Sequence, residues 1–553
     1  MMNLNTLTRS EELRSAHTSR RVLTLFFLSF LVLTFISTPG AARESFPPGP
    51  SFSASEKQTE LLNRRSRVAA NIGESGVLIL FSGEPRVYAG DVDYKFRQEN
   101  NLFYLTFLKQ PGAILVIMPG HARHPEILFL PRRYPALETW NGHMYSPEEA
   151  TQISGVKEIW DVREFEPFLA ALRSRQAYRP KLENILRGTS EQQTDVASGQ
   201  SNSQSGYEKV YASANKGEGS LYLLLPREEQ SREFRREQDL AARLARTASA
   251  YRVRDAAPVF AALRQRKSPL ELRMLQHAVE ITLEAVERAM AVAGGAKWEY
   301  ELEAEIDHTF KRRHADHAGY PSIVGCGDNA TTLHYVESSG AVKKGALVLM
   351  DVGAEFEHYT ADVTRTFPVS GKFNPAQVEI YNLVLAAQEA SMRTVRPGTM
   401  HQEIHKAALE TIKDGLLRLG LITDRNSDQY RLWFMHGTSH FLGMNVHDVH
   451  AEGKLEPNMV FTVEPGIYIR EDALDYLPKT PENAKLIAAI KPAFEKFKNI
   501  GVRIEDDVVV TENGYRNLSA ALPRTISDIE TFMSPSTRTT SSAQAEQSIS
   551  KKP

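Results

Sequence analysis

A single cysteine, Cys326, stands in the 553 residues of the chain. No intramolecular disulfide can form, and the cysteine-rich zinc sites are excluded with it. An excess of charge of one sign is missing too. Sixty-six Lys and Arg face 68 Asp and Glu, a formal net charge of −2. That balance lacks the basic excess of a nucleic-acid binder and gives no reason to expect a polyanion partner or an acidic substrate. What remains is an ordinary globular mixture, 42% hydrophobic and 24% charged. The length predicts roughly three or four domain-sized units rather than one core.

The N-terminus departs from that average. Arg20-Arg21 leads into VLTLFFLSFLVLTFIS, Val22 to Ser37, sixteen residues without a charge. Small residues follow at Gly40 and Ala42, at −3 and −1 of a cleavage point after Ala42. A basic region, a short apolar run and a small-residue end describe a signal peptide over residues 1–42. The run is short for a membrane span of about 20 residues, which leaves an uncleaved anchor as the lesser alternative. The expectation is an exported protein, periplasmic or secreted, whose mature chain starts near Arg43 and lies outside the membrane. Ser19-Arg20-Arg21 also resembles a twin-arginine signal, with a loose match beyond the arginines.

From about residue 60 the pattern becomes α/β. GVLILFSG (Gly76–Gly83), AILVIMPG (Ala113–Gly120) and EILFLPR (Glu126–Arg132) are short apolar runs between Gly and Pro, and predict buried strands. Polar helical stretches at Pro147–Gln152 and Val162–Arg173 alternate with them. Residues 188–219, rich in Ser, Gln and Gly, read as a solvated insertion. SLYLLLP (Ser220–Pro226) then returns a strand to the same domain, 60–250. In the second domain, 252–530, Ser268-Pro269-Leu270-Glu271 places an N-cap, a first-position proline and a glutamate at N3. It predicts a helix running to Gly294-Gly295. Residues 534–553, rich in Ser, Thr and Gln, read as a disordered tail.

The informative residues are carboxylates in apolar text. Asp351 lies inside the strand-like run ALVLMDVG, and Asp362 follows eleven residues later in YTADVTRTF. A carboxylate in such a strand costs several kcal/mol unless something pairs with it. FMHGTSHFLGMNVHDVH then gathers His436, His440 and His447 among glycines. NMVFTVEPGIYI ends a strand-like run at Glu464, and GVRIEDDVVVT places Glu505 in another. Four apolar segments each deliver a carboxylate and a fifth delivers histidine. An oxygen-rich set with one imidazole suits two divalent cations such as Mn²⁺, with Co, Fe or Zn less favoured by ligand type.

These local texts, with DYKFRQENNLFYLTFL (Asp93–Leu108) and ETWNG (Glu138–Gly142), resemble the aminopeptidase P family. Those proline-specific aminopeptidases belong to the pita-bread-fold metallopeptidases, alongside prolidase and methionine aminopeptidase. The resemblance implies an α/β N-terminal domain followed by an α+β pita-bread, creatinase/aminopeptidase-like catalytic domain. It implies that Asp351, Asp362, His440, Glu464 and Glu505 hold two metal ions. His334 then matches a residue that stabilises the tetrahedral intermediate, and His447 one that contacts the substrate carbonyl beside the proline. His436 matches a further active-site histidine, and Arg503 an arginine supporting the ligand carboxylates. Glu464 doubles as the proton carrier. The implied substrates are peptides with proline in second position, from which the first residue is released, and relatives are commonly homo-oligomers. Two departures stand out: the polar tract at 188–219, and about forty residues between Glu464 and Glu505, expected to reshape the pocket rim.

Other features are read more plainly. His401 and His405, four apart in HQEIH, are assigned to an ordinary solvated helix face rather than to a metal pair, and His314 and His317 to the surface. The Phe and Leu residues of NLFYLTFL are assigned to the core. Two alternatives stay open: a prolidase-like dipeptidase with the same metal site, and a peptide-binding member that has lost catalysis.

Overall fold

The computed structural model describes residues 49–188, 206–225, 234–246 and 250–534. The segment read as a signal and nearly all of the C-terminal tail lie outside them. No helix among the described residues is long and apolar enough to cross a membrane.

Seven strands form the first sheet, in the order Ile185–Arg187, Ile159–Asp161, Glu126–Leu130, Ile114–Ile117, Gly76–Phe81, Gly219–Leu223, Tyr251–Asp255. The three apolar runs picked out in the sequence lie at its centre, paired antiparallel. Gly76–Phe81 is buried along its whole length, and its side chains alternate between two cores. Leu78 and Leu80 face one core; Val77, Ile79 and Phe81 face the other. Helices cover both faces, so the run is continuously apolar instead of alternating. The NLFYLTFL residues are buried as expected, in and after the Asn100–Thr106 helix.

The polar tract needs correcting in its second half. Residues 189–205 lie outside the described part, but Glu208–Ala214 is a helix that buries Val210, Tyr211 and Ala214 against the sheet. Tyr207 and Tyr211 stack with centroids 5.0 Å apart. The average composition of the tract hid one aromatic turn, held by burial and by the Tyr211 hydroxyl donating to Gln176 O.

Beyond it, the Pro269–Val292 helix starts on the expected capping box, Glu271 N donating to Ser268 Oγ and Ser268 N to Glu271 Oε2. It packs against strands Leu347–Val352 and Val363–Pro368 of an antiparallel sheet whose third strand is Ile323–Cys326. A second sheet pairs Val460–Val463 with Asp506–Thr511, and a two-stranded ribbon pairs Gly466–Ile469 with Ile500–Arg503. The extra residues between Glu464 and Glu505 lie largely in the connection of that ribbon. They carry the Pro481–Phe497 helix, which buries Ile490, Phe494 and Phe497.

Polar contacts tie the two halves together near the Gly443–Asp448 loop. Arg97 donates to both oxygens of Glu355 and to Met444 O, and Asn100 Nδ2 donates to Asn445 Oδ1 at 2.8 Å.

Candidate active site

Asp351 is fixed by the sheet. It sits inside Leu347–Val352, opposite Thr364 in the register, and Asp362 immediately precedes the partner strand. The eleven-residue spacing is the length of the excursion between them. The chain turns back there at Glu357 and His358, both at positive φ. Gly353 permits the close return, since a Cβ there would lie 1.8 Å from Ala361 O.

Glu505 is not within a strand, as its β-branched neighbours suggested. It occupies the two-residue break between Ile500–Arg503 and Asp506–Thr511, as Asp362 occupies the break before Val363. The break follows from a switch of sheets, and it frees both carboxylates to turn toward Asp351. Glu464 follows Val460–Val463 as expected, its N–H bonded to Thr438 O at 2.8 Å.

These residues converge. Oxygen or nitrogen atoms of Asp362, His440 and Glu505 lie within 4.8 Å of one another. His440 Nε2 is 3.3 Å from Asp362 Oδ2 and 3.4 Å from Glu464 Oε1. Tyr320 OH reaches Asp351 Oδ1 at 2.6 Å and Asp362 Oδ1 at 2.5 Å. Arg503 donates to Asp351 Oδ2, to Tyr468 OH and to Thr364 Oγ1, whose hydroxyl bonds Glu505. The Tyr468 hydroxyl in turn meets His436 Nε2 at 3.0 Å. His334 and His447 are exposed, and the His447 ring lies 4.2 Å from that of His440.

The electrostatics favour a cation. Burial and then the Asp351 charge push the Asp362 carboxyl well above its ordinary range, and burial with Asp362 and Glu464 does the same to Glu505. Glu464 is pushed up to about 7, burial outweighing the pull of His440 and Arg503. Burial also works against the Asp351 charge, but Arg503 and Tyr320 overcome it and hold this carboxyl low. Tyr320 has one proton for two carboxylates and Arg503 pairs only with Asp351, so Asp362 and Glu505 hold charge that a bound proton or cation must balance. His440 Nδ1 lies 3.3 Å from Phe441 O, and its Nε2 faces the carboxylates of Asp362 and Glu464. A histidine with one ring nitrogen on a backbone carbonyl and the other facing carboxylates is oriented as metal-ligating histidines are. The donor set fits divalent metal.

Three residues beyond the expected set thus belong here, Tyr320, Thr364 and Tyr468. His401 and His405 do not lie on an open solvated face. Both are partly buried and bond Ser439 and Thr438. The helix lies against the His436–His440 loop, an arrangement that four-residue spacing alone does not reveal. Of the two other histidines, His314 is exposed while His317 is half-buried in a two-residue strand.

The fold and the site define a metallopeptidase. Residues 273–512 match the model of metallopeptidase family M24, and residues 62–179 match the aminopeptidase P N-terminal domain. The Xaa-Pro aminopeptidase of Haemophilus influenzae is 34% identical over 495 residues, covering 87% of this chain and 99% of that protein. The Escherichia coli Xaa-Pro aminopeptidase is 33% identical over 485 residues, 86% of this chain and 97% of that protein. A solved structure of aminopeptidase P from E. coli with the inhibitor Pro-Leu superposes with a TM-score of 0.68 at 31% identity, covering 88% of this chain and 99% of that one. The chain belongs to the aminopeptidase P family of metallopeptidases. Its architecture is that family's: an α/β N-terminal domain followed by a pita-bread catalytic domain.

Proposed function

We infer that the protein is a metal-dependent Xaa–Pro aminopeptidase, releasing the first residue of peptides with proline in second position. One observation carries this: four carboxylates and an imidazole from distant segments meet in a chain that matches such enzymes over nearly their whole length. The donors assigned are Asp351, Asp362, His440, Glu464 and Glu505, holding two divalent cations, with Mn²⁺ favoured by the oxygen-rich set. The cations supply Lewis acidity that lowers the pKa of water and polarises a carbonyl.

The chain's own groups supply the rest. Glu464, on the exposed side of the cluster, takes the proton of the attacking water and delivers it to the prolyl nitrogen as the C–N bond breaks. That nitrogen is tertiary in the substrate and must be protonated to leave as a secondary amine. His447, beside His440, and His334, near His447, are both exposed and donate hydrogen bonds to the developing oxyanion or the next carbonyl. Arg503 holds Asp351 and, through Tyr468, His436. The expected assembly is a homo-oligomer, on the family resemblance.

Substrate length separates this from a prolidase-like dipeptidase. With metal supplied, Xaa–Pro–Yaa tripeptides and longer peptides should release free Xaa in an amino-acid assay. Cleavage of Xaa–Pro dipeptides alone would instead favour the dipeptidase.

We also propose export to the periplasm or the medium, from the basic, apolar and small-residue pattern of residues 1–42. N-terminal sequencing of the native protein should begin near Arg43. An intact Met1 in a soluble cytosolic pool would contradict it.

A further inference from the structure

The HQEIH histidines have no part in the chemistry above, yet both point at its scaffold. His401 stands at the N-terminal boundary of the Gln402–Leu419 helix, and His405 lies one turn further on. Residues four apart share one helix face. His401 Nε2 lies 2.9 Å from Ser439 Oγ, and His405 Nδ1 lies 2.9 Å from Thr438 Oγ1. These two hydroxyls belong to consecutive residues in the short loop between His436 and His440.

Aromatic contacts set the rings. His401 packs against Phe441 and Phe461, with centroids 4.7 and 5.3 Å away. His405 packs against Phe434 at 5.6 Å, and Phe434 in turn meets the His436 ring edge-to-face at 5.3 Å. Burial first, and then the charges of His450 and His440, lower His401 to about 4; burial also lowers His405. Both rings are neutral near pH 7, suited to exchanging one hydrogen bond with a hydroxyl.

The other side of the loop is held by the strand that ends at Glu464. Thr438 O accepts from Glu464 N, His440 O accepts from Thr462 N at 3.0 Å, and His440 N donates to Thr462 Oγ1. The loop is thus clamped between strand and helix. Without the helix side, the hydroxyls of Thr438 and Ser439 lose their partners and the two flanking imidazoles are held from one side only.

We propose that His401 and His405 are positioning residues: through the Ser439 and Thr438 hydroxyls they fix the loop that presents His436 and His440 to the site. This rests on the Xaa–Pro aminopeptidase reading for the meaning of the site, but the clamp itself can be tested apart from it.

The test is a pair of double-mutant cycles in the full-length protein, His401→Leu with Ser439→Ala and His405→Leu with Thr438→Val. His401→Gln and His405→Asn, whose amides can replace Nε2 and Nδ1, serve as conservative variants. Four quantities are read: kcat and KM on an Xaa–Pro tripeptide at saturating Mn²⁺, the Mn²⁺ dissociation constant by calorimetry, and the melting temperature. Each leucine variant should lower kcat by about 10- to 100-fold with little change in KM, since small misplacements are costly in a preorganised site. Mn²⁺ affinity should fall about tenfold, as for other outer-shell partners. Each double variant should be no worse than its worse single, and the amide variants should recover most of both losses.

Additive losses within a cycle, or a lowered melting temperature with unchanged kcat and metal affinity, would overturn the clamp. Should a leucine variant fail to fold, Ser439→Ala and Thr438→Val carry the test alone: each should lower kcat and Mn²⁺ affinity while the amide variants keep most of both, and hydroxyl deletions without effect would overturn the clamp. If the wild type cleaves no Xaa–Pro peptide, the functional reading fails instead, and the metal-affinity cycles still decide the clamp.

Discussion

Asp362→Asn should reduce metal loading and with it kcat/KM, by at least about 100-fold, while leaving the metal-free protein at least as stable as the wild type. The first effect follows from its place: its oxygens face both His440 Nε2 and, through Tyr320, Asp351. A neutral amide is a poor ligand for two cations. The second effect follows from the repulsion around it. Burial and the neighbouring Asp351 raise the Asp362 pKa well above its unfolded value, so the folded state binds this proton more tightly than the unfolded chain does. The penalty is absent below the unfolded pKa of about 3.9 and grows as pH rises from there toward the folded pKa. Without metal, Asn should therefore equal or exceed Asp in melting temperature near pH 7, and the difference should vanish near pH 3. Scanning calorimetry with and without Mn²⁺ checks both halves. An Asn variant with full metal content and turnover would remove Asp362 from the site.

Arg365→Met is the second large effect, and it is one of stability. Arg365 and Asp506 are an ion pair with no exposed side-chain surface, 2.6 Å apart. The same guanidinium donates to Glu505 O, Thr364 O and Pro523 O. Burying both charges is costly, yet removing one partner strands the other, at a cost of about 3–5 kcal/mol. Here Ser519 and Gln388 still bond Asp506 and Arg524 lies 3.6 Å from it, so the loss should lie toward or below the lower end. Adding Asp506→Leu should recover part of it. Urea unfolding of the three proteins decides the matter, and a loss below about 1 kcal/mol in the single variant would contradict a buried pair acting at full strength.

Much of this site was legible because buried charge breaks a local rule. Asp351 in an apolar strand has no local explanation, so the sequence itself advertises a missing partner. The continuous apolar runs of the first sheet were legible for a related reason: both faces are covered, which leaves no alternation to misread. Tyr320, Thr364 and Tyr468 carry no such signal. Each acts across 31 to 141 residues of chain, and a tyrosine or threonine in a strand or a bend is unremarkable. His401 and His405 were read as a solvated face because four-residue spacing says which side they share, not what packs there. Tyr207 and Tyr211 were lost in the average of a polar tract. In each case the missing information was a tertiary contact.

The central claim is proline specificity, and one comparison tests it most directly. Two peptides identical except for proline or alanine in second position are incubated with the metal-loaded enzyme, and the products are followed by mass spectrometry. A pocket that orients the pyrrolidine ring also aligns the tertiary nitrogen for protonation, and an alanine peptide lacks both the packing and the alignment. The prediction is loss of the first residue alone from the proline peptide, at a rate at least about 100-fold above that for alanine. Equal rates on the two peptides would contradict it.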